Sequence, residues 1–166
     1  MLENLVMQKK LRFGWFTLTC SEDNTIIFVE LINRHYFEWK DKIKFVYCKP
    51  LQSNNKITRM DVAYVEGAVS SLHEEKLLKK VMANSRYLVA VGACACTGMP
   101  SGQRNLFNDA TKKSIRPSIK RYNLYEKVKA VKDIVKTDAM LFGCPMSADS
   151  FVMNINGYLK EFGVDK

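Results

Sequence analysis

The chain contains 166 residues, of which 47% are hydrophobic and 26% are charged, and its formal net charge is +9. This length suits one domain with a substantial core and leaves little room for two. No apolar run is long enough to span a bilayer, and the N-terminus lacks a signal-peptide pattern, so we expect a cytoplasmic protein without a transmembrane segment. The basic charge suits an acidic partner, whereas the lack of known nucleic-acid-binding motifs excludes nucleic acid as the expected one.

Apolar patterning predicts strands that alternate with helices along the chain. The predicted strands are residues 11–19, 43–49, 61–69, 86–95 and 139–145. The predicted helices are 25–39 with Asp23 or Asn24 as a cap, 73–85, and 147–163 with Ser147 as a cap; residues 125–135 are predicted as a helix, alone or with a short strand. The basic stretch that ends near Lys120 is predicted to be irregular. Such alternation predicts a parallel sheet with helices on both faces.

Distinctive side chains follow the ends of different predicted strands. Cys20, Glu66, Cys94 and Cys144 each lie at or just past such an end. Because binding sites in parallel sheets form at the carboxyl ends of the strands, we expect these residues at one edge. The chain has five cysteines, and an odd number argues against a disulfide framework. Cys48, inside the apolar run IKFVYCK, is predicted to be a buried free thiol.

The cysteine pattern favours an iron–sulfur cluster over a zinc site. Zinc sites usually show paired CxxC or CxxH spacings, but these cysteines come singly from separate loops, and the two histidines, His35 and His73, lie in predicted helices. Cluster ligands can come from distant loops. Small residues that let the backbone approach the sulfur atoms are found nearby: Gly92, Ala93, Gly98, Gly102 and Gly143.

The chain resembles the small subunit of nickel–iron hydrogenases, particularly the soluble cytoplasmic type, and the homologous 20 kDa-type cluster-bearing subunit of complex I. The matching segments are FTLTCSEDNTIIFVELIN, DVAYVEGAVSS, VAVGACACTGMPSGQRN and FGCPMSADSFV, which together extend from about residue 13 to residue 152. The resemblance implies a flavodoxin-like doubly wound parallel sheet, a single α/β domain over residues 1–166. It also implies that the C-terminal domain for medial and distal clusters is lacking.

The resemblance further implies a role in electron transfer. One proximal [4Fe–4S] cluster would relay electrons between the Ni–Fe site of a large subunit and further iron–sulfur or flavin-containing diaphorase subunits. The catalytic site would then lie on the partner chain, and this chain would carry no catalytic residue. Two alternatives remain: an electron-transfer subunit of a complex I-like or membrane-bound hydrogenase module, and a flavodoxin-like structural subunit without a cluster.

Matched position by position, the family's cluster ligands fall on Cys20, Asp23, Cys94 and Cys144. The family's CxxC motif reads CSED here, so an aspartate replaces its second cysteine. Three interpretations follow. Asp23 binds the fourth iron; or the cluster is [3Fe–4S] or has an open or water-bound iron; or another thiol substitutes, with Cys96 as the nearest candidate. A packed free thiol is the competing interpretation of Cys96.

Two further residues are candidates for roles around the cluster. The resemblance places Glu66 near the cluster and the subunit interface, as a hydrogen-bonding or proton-passing acid, although a helix-capping or salt-bridging carboxylate is the alternative. Arg104 is a candidate donor to cluster sulfur or to the partner subunit, against a solvated loop arginine. We also expect an exposed apolar patch around the cluster edge that the large subunit covers.

Overall fold

The computed structural model describes residues 9–165. Residues 1–8, which supplied part of the argument against a signal peptide, and Lys166 lie outside the described residues. In the described part of the chain, no helix is both long enough and apolar enough to cross a membrane.

Five parallel strands form one sheet in the order β2-β1-β3-β5-β7, and β4 and β6 form a separate antiparallel pair. The strands are β1 (Leu11–Thr17), β2 (Ile43–Cys48), β3 (Met60–Glu66), β4 (Val69–Ser71), β5 (Ser85–Val91), β6 (Leu124–Lys129) and β7 (Ala139–Leu141). The helices are α1 (Asp23–Arg34), α2 (Tyr36–Trp39), α3 (Leu72–Asn84), α4 (Gly92–Thr97), α5 (Asp109–Arg121) and α6 (Ala148–Glu161), with 3-10 helices at Gln103–Leu106 and Val131–Asp133. This strand order is that of flavodoxin-like folds, as predicted.

The sheet separates two hydrophobic layers. One layer joins Trp15 of β1 to Phe28 of α1 and Phe151 of α6. The other joins Phe16 of β1 to Leu78 of α3. Adjacent side chains of a strand point to opposite faces, so β1 must be apolar on both sides, and Trp15 and Phe16 are each 1% exposed. Both side chains therefore lie in the core, on opposite faces of the sheet.

The structure corrects the predicted strand at residues 86–95. Strand β5 ends at Val91, and the small residues of GACACT form helix α4. Gly92 makes the change of direction possible because its φ angle is +79°. Cys94 and Cys96 therefore lie on a helix and not at the end of a strand.

Other segments also differ from the predictions. The predicted helix 25–39 is divided, because α1 ends at Arg34 and the short helix α2 follows. The stretch predicted as irregular contains the 13-residue helix α5, whose first turn is capped by the Asn108 side chain. The predicted helix at 125–135 is instead strand β6 followed by a 3-10 turn. The predicted cap of α1 is also wrong, because Glu22 occupies the cap position without a side-chain hydrogen bond. The Ser147 cap of α6 is confirmed by its hydrogen bond from the Ser150 amide.

Candidate metal centre

Backbone hydrogen bonds hold the loops of the three candidate thiols at the carboxyl edge of the sheet, and they join the loops of Cys94 and Cys144 directly. Thr19, next to Cys20, exchanges two backbone hydrogen bonds of 2.9 and 3.1 Å with Ala68. The amide of Ala93, next to Cys94, donates to the carbonyl of Gly143, next to Cys144, over 2.7 Å. These bonds bring chain segments far apart in sequence to one edge.

Ser101 connects the Cys94 thiol to the loop of Cys20. Its hydroxyl donates to the carbonyl oxygen of Thr19 over 3.1 Å. Because that hydrogen is then committed, the Cys94 thiol, 3.1 Å from the Ser101 oxygen, is the donor in their contact. Cys94 is 9% exposed and packs against Ala68 and Val128.

Cys20 is partly buried, and its surroundings disfavour its thiolate. Burial raises the pKa of the Cys20 thiol to about 12, and the nearby carboxylates of Glu66 and Glu22 add to the rise. Its sulfur lies 3.7 Å from the carbonyl oxygen of Leu18. In the absence of a metal this thiol holds its proton at neutral pH, so ligation has to displace that proton.

Cys144 differs from the other two thiols because it is exposed. It follows Gly143, whose φ angle is +124° and where a Cβ would collide with the carbonyl oxygen of Pro145. The turn that presents Cys144 therefore requires glycine. Phe142, directly before that glycine, is 58% exposed and places apolar surface near the thiol.

Asp23 is the first residue of α1 and lies three positions after Cys20. Its carboxylate accepts a hydrogen bond of 2.8 Å from the Ser21 hydroxyl. Glu22, between them, has a φ of +65°, a conformation that costs a non-glycine residue energy. This backbone conformation determines the position of Asp23 relative to Cys20.

Asn24 is a residue of the site that sequence reasoning missed. It is buried, and its side-chain oxygen accepts a hydrogen bond of 2.8 Å from the Met146 amide. A Cβ on Gly92 would collide with its side-chain amide. Asn24 therefore packs between the loops of Cys94 and Cys144, a role for which its position in CSEDN gave no signal beyond a possible helix cap.

Glu66 lies at the end of β3 and is fully buried. Its Oε1 accepts a hydrogen bond of 2.9 Å from the Thr17 hydroxyl and another from the Thr25 hydroxyl. In the described part of the chain its Oε2 has no hydrogen-bond partner and no cation forms a salt bridge with it. The carboxylate is held by hydroxyl groups, and one of its oxygens is left available beside Cys20.

The side chains of Cys96 and Arg104 contact backbone carbonyl oxygens and none of the candidate ligands. The Cys96 thiol is fully buried and points to the carbonyl oxygens of Ala90 and Leu141, at 3.6 and 3.7 Å. Burial raises its pKa to about 11. The Arg104 guanidinium donates to the carbonyl oxygens of Ser70 and Tyr125, at 3.4 and 2.9 Å, and so joins β4 to β6.

The types of side chain at this edge are those that bind iron–sulfur clusters. Within residues 9–165, no three His, Cys, Asp or Glu side chains are arranged to hold a single metal ion. The three thiols come from separate loops and are soft donors, a combination that suits a multi-iron cluster better than one ion. Near Cys20, the buried Oε2 of Glu66 has no hydrogen-bond partner among the described residues.

The chain belongs to the family described as NADH ubiquinone oxidoreductase, 20 Kd subunit, which matches residues 22–158. The match includes Asp23, Cys94 and Cys144 and begins two residues after Cys20. The family expected from the sequence motifs is thereby confirmed.

Curated relatives of this chain are hydrogenase subunits. Over 148 residues it is 30% identical to a vhu-type subunit of the F420-non-reducing hydrogenase of Methanocaldococcus jannaschii, covering 78% of this chain and 51% of the relative. It is also 30% identical over 116 residues to the gamma subunit of the coenzyme F420 hydrogenase of Methanosarcina barkeri, covering 66% and 39%. The chain thus spans about half the length of the first of these relatives and less of the second.

Solved structures show the same fold. The chain superimposes on a chain of an NAD+-reducing [NiFe]-hydrogenase in the H2-reduced state with a TM-score of 0.78 and 23% identity, covering 92% of this chain and 93% of that one. A Ni-Fe-Se hydrogenase from Desulfomicrobium baculatum gives a TM-score of 0.62 at 16% identity, covering 89% and 61%. At these identities the likeness establishes the fold alone.

Proposed function

We propose that this chain is the electron-transfer subunit of a nickel–iron hydrogenase complex and holds one [4Fe–4S] cluster at the carboxyl edge of its sheet. Cys20, Asp23, Cys94 and Cys144 are its ligands. The catalytic Ni–Fe site belongs to a large subunit, and further iron–sulfur or flavin-containing subunits exchange electrons with this one. The observation that carries the proposal is the hydrogen-bonded convergence of the three cysteine loops.

Different residues of the chain have different roles in binding the proposed cluster. When bound, the cluster supplies one-electron transfer at a potential set by its ligands, hydrogen bonds and burial. The three cysteines bind as thiolates, and once Cys94 has lost its proton, Ser101 can turn its single hydroxyl hydrogen from the Thr19 carbonyl to the Cys94 sulfur. Asp23 adds a hard oxygen ligand that can be protonated. Phe142 supplies apolar surface for the partner subunit.

A complex I-like module is the second candidate, and the family match is the observation that favours it. The two candidates share the cluster and differ in the partner chains. Identification of the subunits that co-purify with the chain separates them.

Iron and sulfide analysis with EPR on the anaerobically purified complex tests the cluster. We expect this chain to add about four irons and four acid-labile sulfides to those that the partner subunits of the complex contain, as a cubane requires. Replacement of exposed Cys144 by alanine should lower both without unfolding the chain, because its side chain packs against little.

Cys96→Ala is the matched control for that variant. Its thiol is buried in the core and contacts the backbone carbonyl oxygens of Ala90 and Leu141, so we expect lower thermal stability with unchanged iron and sulfide. A wild-type complex without iron, sulfide and brown colour would support the structural subunit instead. Loss of the cluster on Cys96→Ala alone would show that Cys96 is the ligand.

A further inference from the structure

A basic cavity of about 480 Å³ lies between helix α5 and strand β6. Five basic side chains line it: Arg104, Lys112, Lys113, Arg116 and Lys127. The acidic lining residues are Asp109 and Glu126, and Ile115 and Ile119 add apolar surface. We call this feature the α5 cavity, and it is not part of the candidate metal centre.

Most of the positive charge of the α5 cavity is not neutralised within the chain. Arg116 forms an ion pair of 3.2 Å with Glu126, and both side chains are mostly exposed. Across residues 9–165, Lys112, Lys113 and Lys127 form no ion pair within salt-bridge distance. A concave surface lined by one sign of charge attracts groups of the opposite sign.

Helix α5 also lacks the packing that usually stabilises a surface helix. None of its 13 residues is buried, although Ile115 and Ile119 lie on the side that faces the cavity. Leu106 before the helix is 77% exposed and Tyr122 after it is 64% exposed. Protein helices gain most of their stability from packing an apolar face. Because α5 packs no buried residue within the chain, its surface can pack against a macromolecule.

The α5 cavity lies one layer of side chains from Cys94. Val128 packs against Cys94 in a buried cluster. Asn105, which lines the cavity, exchanges two hydrogen bonds of 2.8 Å with the backbone of Val128. A molecule docked here is therefore separated from Cys94 by Val128 and Asn105.

We propose that α5 and its cavity dock an acidic electron-transfer protein, the next redox partner of this subunit. Carboxylates of that partner meet Lys112, Lys113 and Lys127, and its apolar side chains cover Ile115, Leu106 and Tyr122. The exposed surface extends along the whole helix, beyond the cavity, which favours a protein over a small anion. The choice of a redox protein rests on the proposed function, whereas the acidic character rests on the charges alone.

The test uses the complex purified through a tag on this chain and treated with a zero-length carbodiimide, which joins lysines to carboxylates. Mass spectrometry should find Lys112 or Lys113 linked to an Asp or Glu of another chain, and that chain should contain flavin or iron and sulfide. Cross-links confined to other lysines, or a linked chain without a redox cofactor, overturn the proposal.

A charge-reversal pair supplies the matched variants. Lys112→Glu/Lys113→Glu should reduce the amount of the linked chain that co-purifies by about tenfold at moderate salt, because like charges then face each other. Lys44→Glu/Lys56→Glu makes the same change in charge on exposed residues around another cavity and should leave co-purification unchanged. An equal loss of the co-purifying chain in both variants overturns the proposal. It is also overturned if Lys112→Glu/Lys113→Glu loses bound nucleic acid, measured by absorbance, and no protein.

Hydrogen-dependent reduction of a viologen dye separates the two proposals. The dye needs no docking protein, so the rate should be the same in the wild type and in Lys112→Glu/Lys113→Glu. A wild-type complex that reduces no dye contradicts the hydrogenase function, and the cross-links still decide whether an acidic protein docks on α5.

Discussion

Asp23 is the residue at which the proposed ligand set differs from four thiolates. Its carboxylate accepts a hydrogen bond from the Ser21 hydroxyl, and Asp23 begins helix α1 three positions after Cys20. A carboxylate ligand can take up a proton, whereas a bound thiolate does so much less readily. Electron uptake by the cluster should therefore be coupled to proton uptake at this position.

Asp23→Cys tests this coupling. We expect the midpoint potential of the wild-type cluster to change with pH and that of Asp23→Cys to change less, since the titratable ligand is gone. The measurement is an EPR-monitored redox titration at several pH values. Identical potentials and spectra across pH in both proteins would exclude Asp23 as a ligand.

The separate placement of Cys94 and Cys96 could not be predicted from the sequence. Both lie in GACACT, whose small residues suit a strand or a helix equally well. The helical conformation depends on the positive φ of Gly92, and it sends Cys96 into the core. The hydrogen bonds of Ser101 and Asn24 join residues that are far apart in sequence. The motifs therefore indicated the candidate thiols but not the residues that hold their loops in place.

The turn between β5 and α4 requires glycine. At Gly92 the φ angle is +79°, and a Cβ would collide with the side chain of Asn24. Any other residue here would strain the backbone and push Asn24 from the Met146 amide.

Gly92→Ala should therefore lower the free energy of unfolding by about 1–3 kcal/mol. Gly157→Ala is the matched control, because Gly157 lies in helix α6 with no atom within 4 Å of an added Cβ. It should raise the free energy of unfolding by about 0.5–1 kcal/mol, because alanine lowers the conformational entropy of the unfolded chain. Urea denaturation measures both values, and equal effects of the two substitutions would refute the role of the turn.

Elements with a strong apolar pattern were predicted well, and those without one were not. The central strands and the helices α1, α3 and α6 bury apolar residues at regular spacing. Helix α5 buries none and contains Pro117, so nothing in its pattern distinguished it from a loop. Strand β6 pairs with β4, a contact between distant segments that residues 125–135 do not encode locally.

On the scale of the whole molecule, the two ends of β3 carry buried acids with different partners. At the amino edge Asp61 accepts hydrogen bonds from the Arg12 amide and guanidinium, between 2.5 and 3.1 Å. At the carboxyl edge Glu66 is held by hydroxyl groups alone among the described residues. The sequence predicted the convergence at the carboxyl edge, because strand ends define it, but not the ion pair at the opposite edge.

This ion pair should govern part of the response to acid. Burial opposes ionisation of Asp61, but the hydrogen bonds and charge of Arg12 outweigh it and lower the pKa of the carboxyl below its usual 3.8. A lowered pKa in the folded state gives stability that is present above pH 3.8 and is lost as the pH falls through the lowered value.

Asp61→Asn should lower the free energy of unfolding at pH 7 by about 2 kcal/mol, since hydrogen bonds to a charged group are lost. It should also flatten the decline of stability below about pH 4, the ordinary range of this carboxyl. Urea denaturation at a series of pH values measures both effects. A variant whose stability declines with acid as steeply as that of the wild type would contradict this assignment.

The left-handed backbone conformations at the carboxyl edge have a consequence for how such subunits can diverge. Glu22, Gly92 and Gly143 set the paths of the three loops, while the candidate ligands are residues close to them in the chain. In the proposed ligand set, a substitution at Asp23 would thus exchange the donor atom and leave the route of the chain in place. The hardness of the proposed ligand, and with it the potential of the proposed cluster, could then be altered at this position by one codon without a compensating change elsewhere in the scaffold.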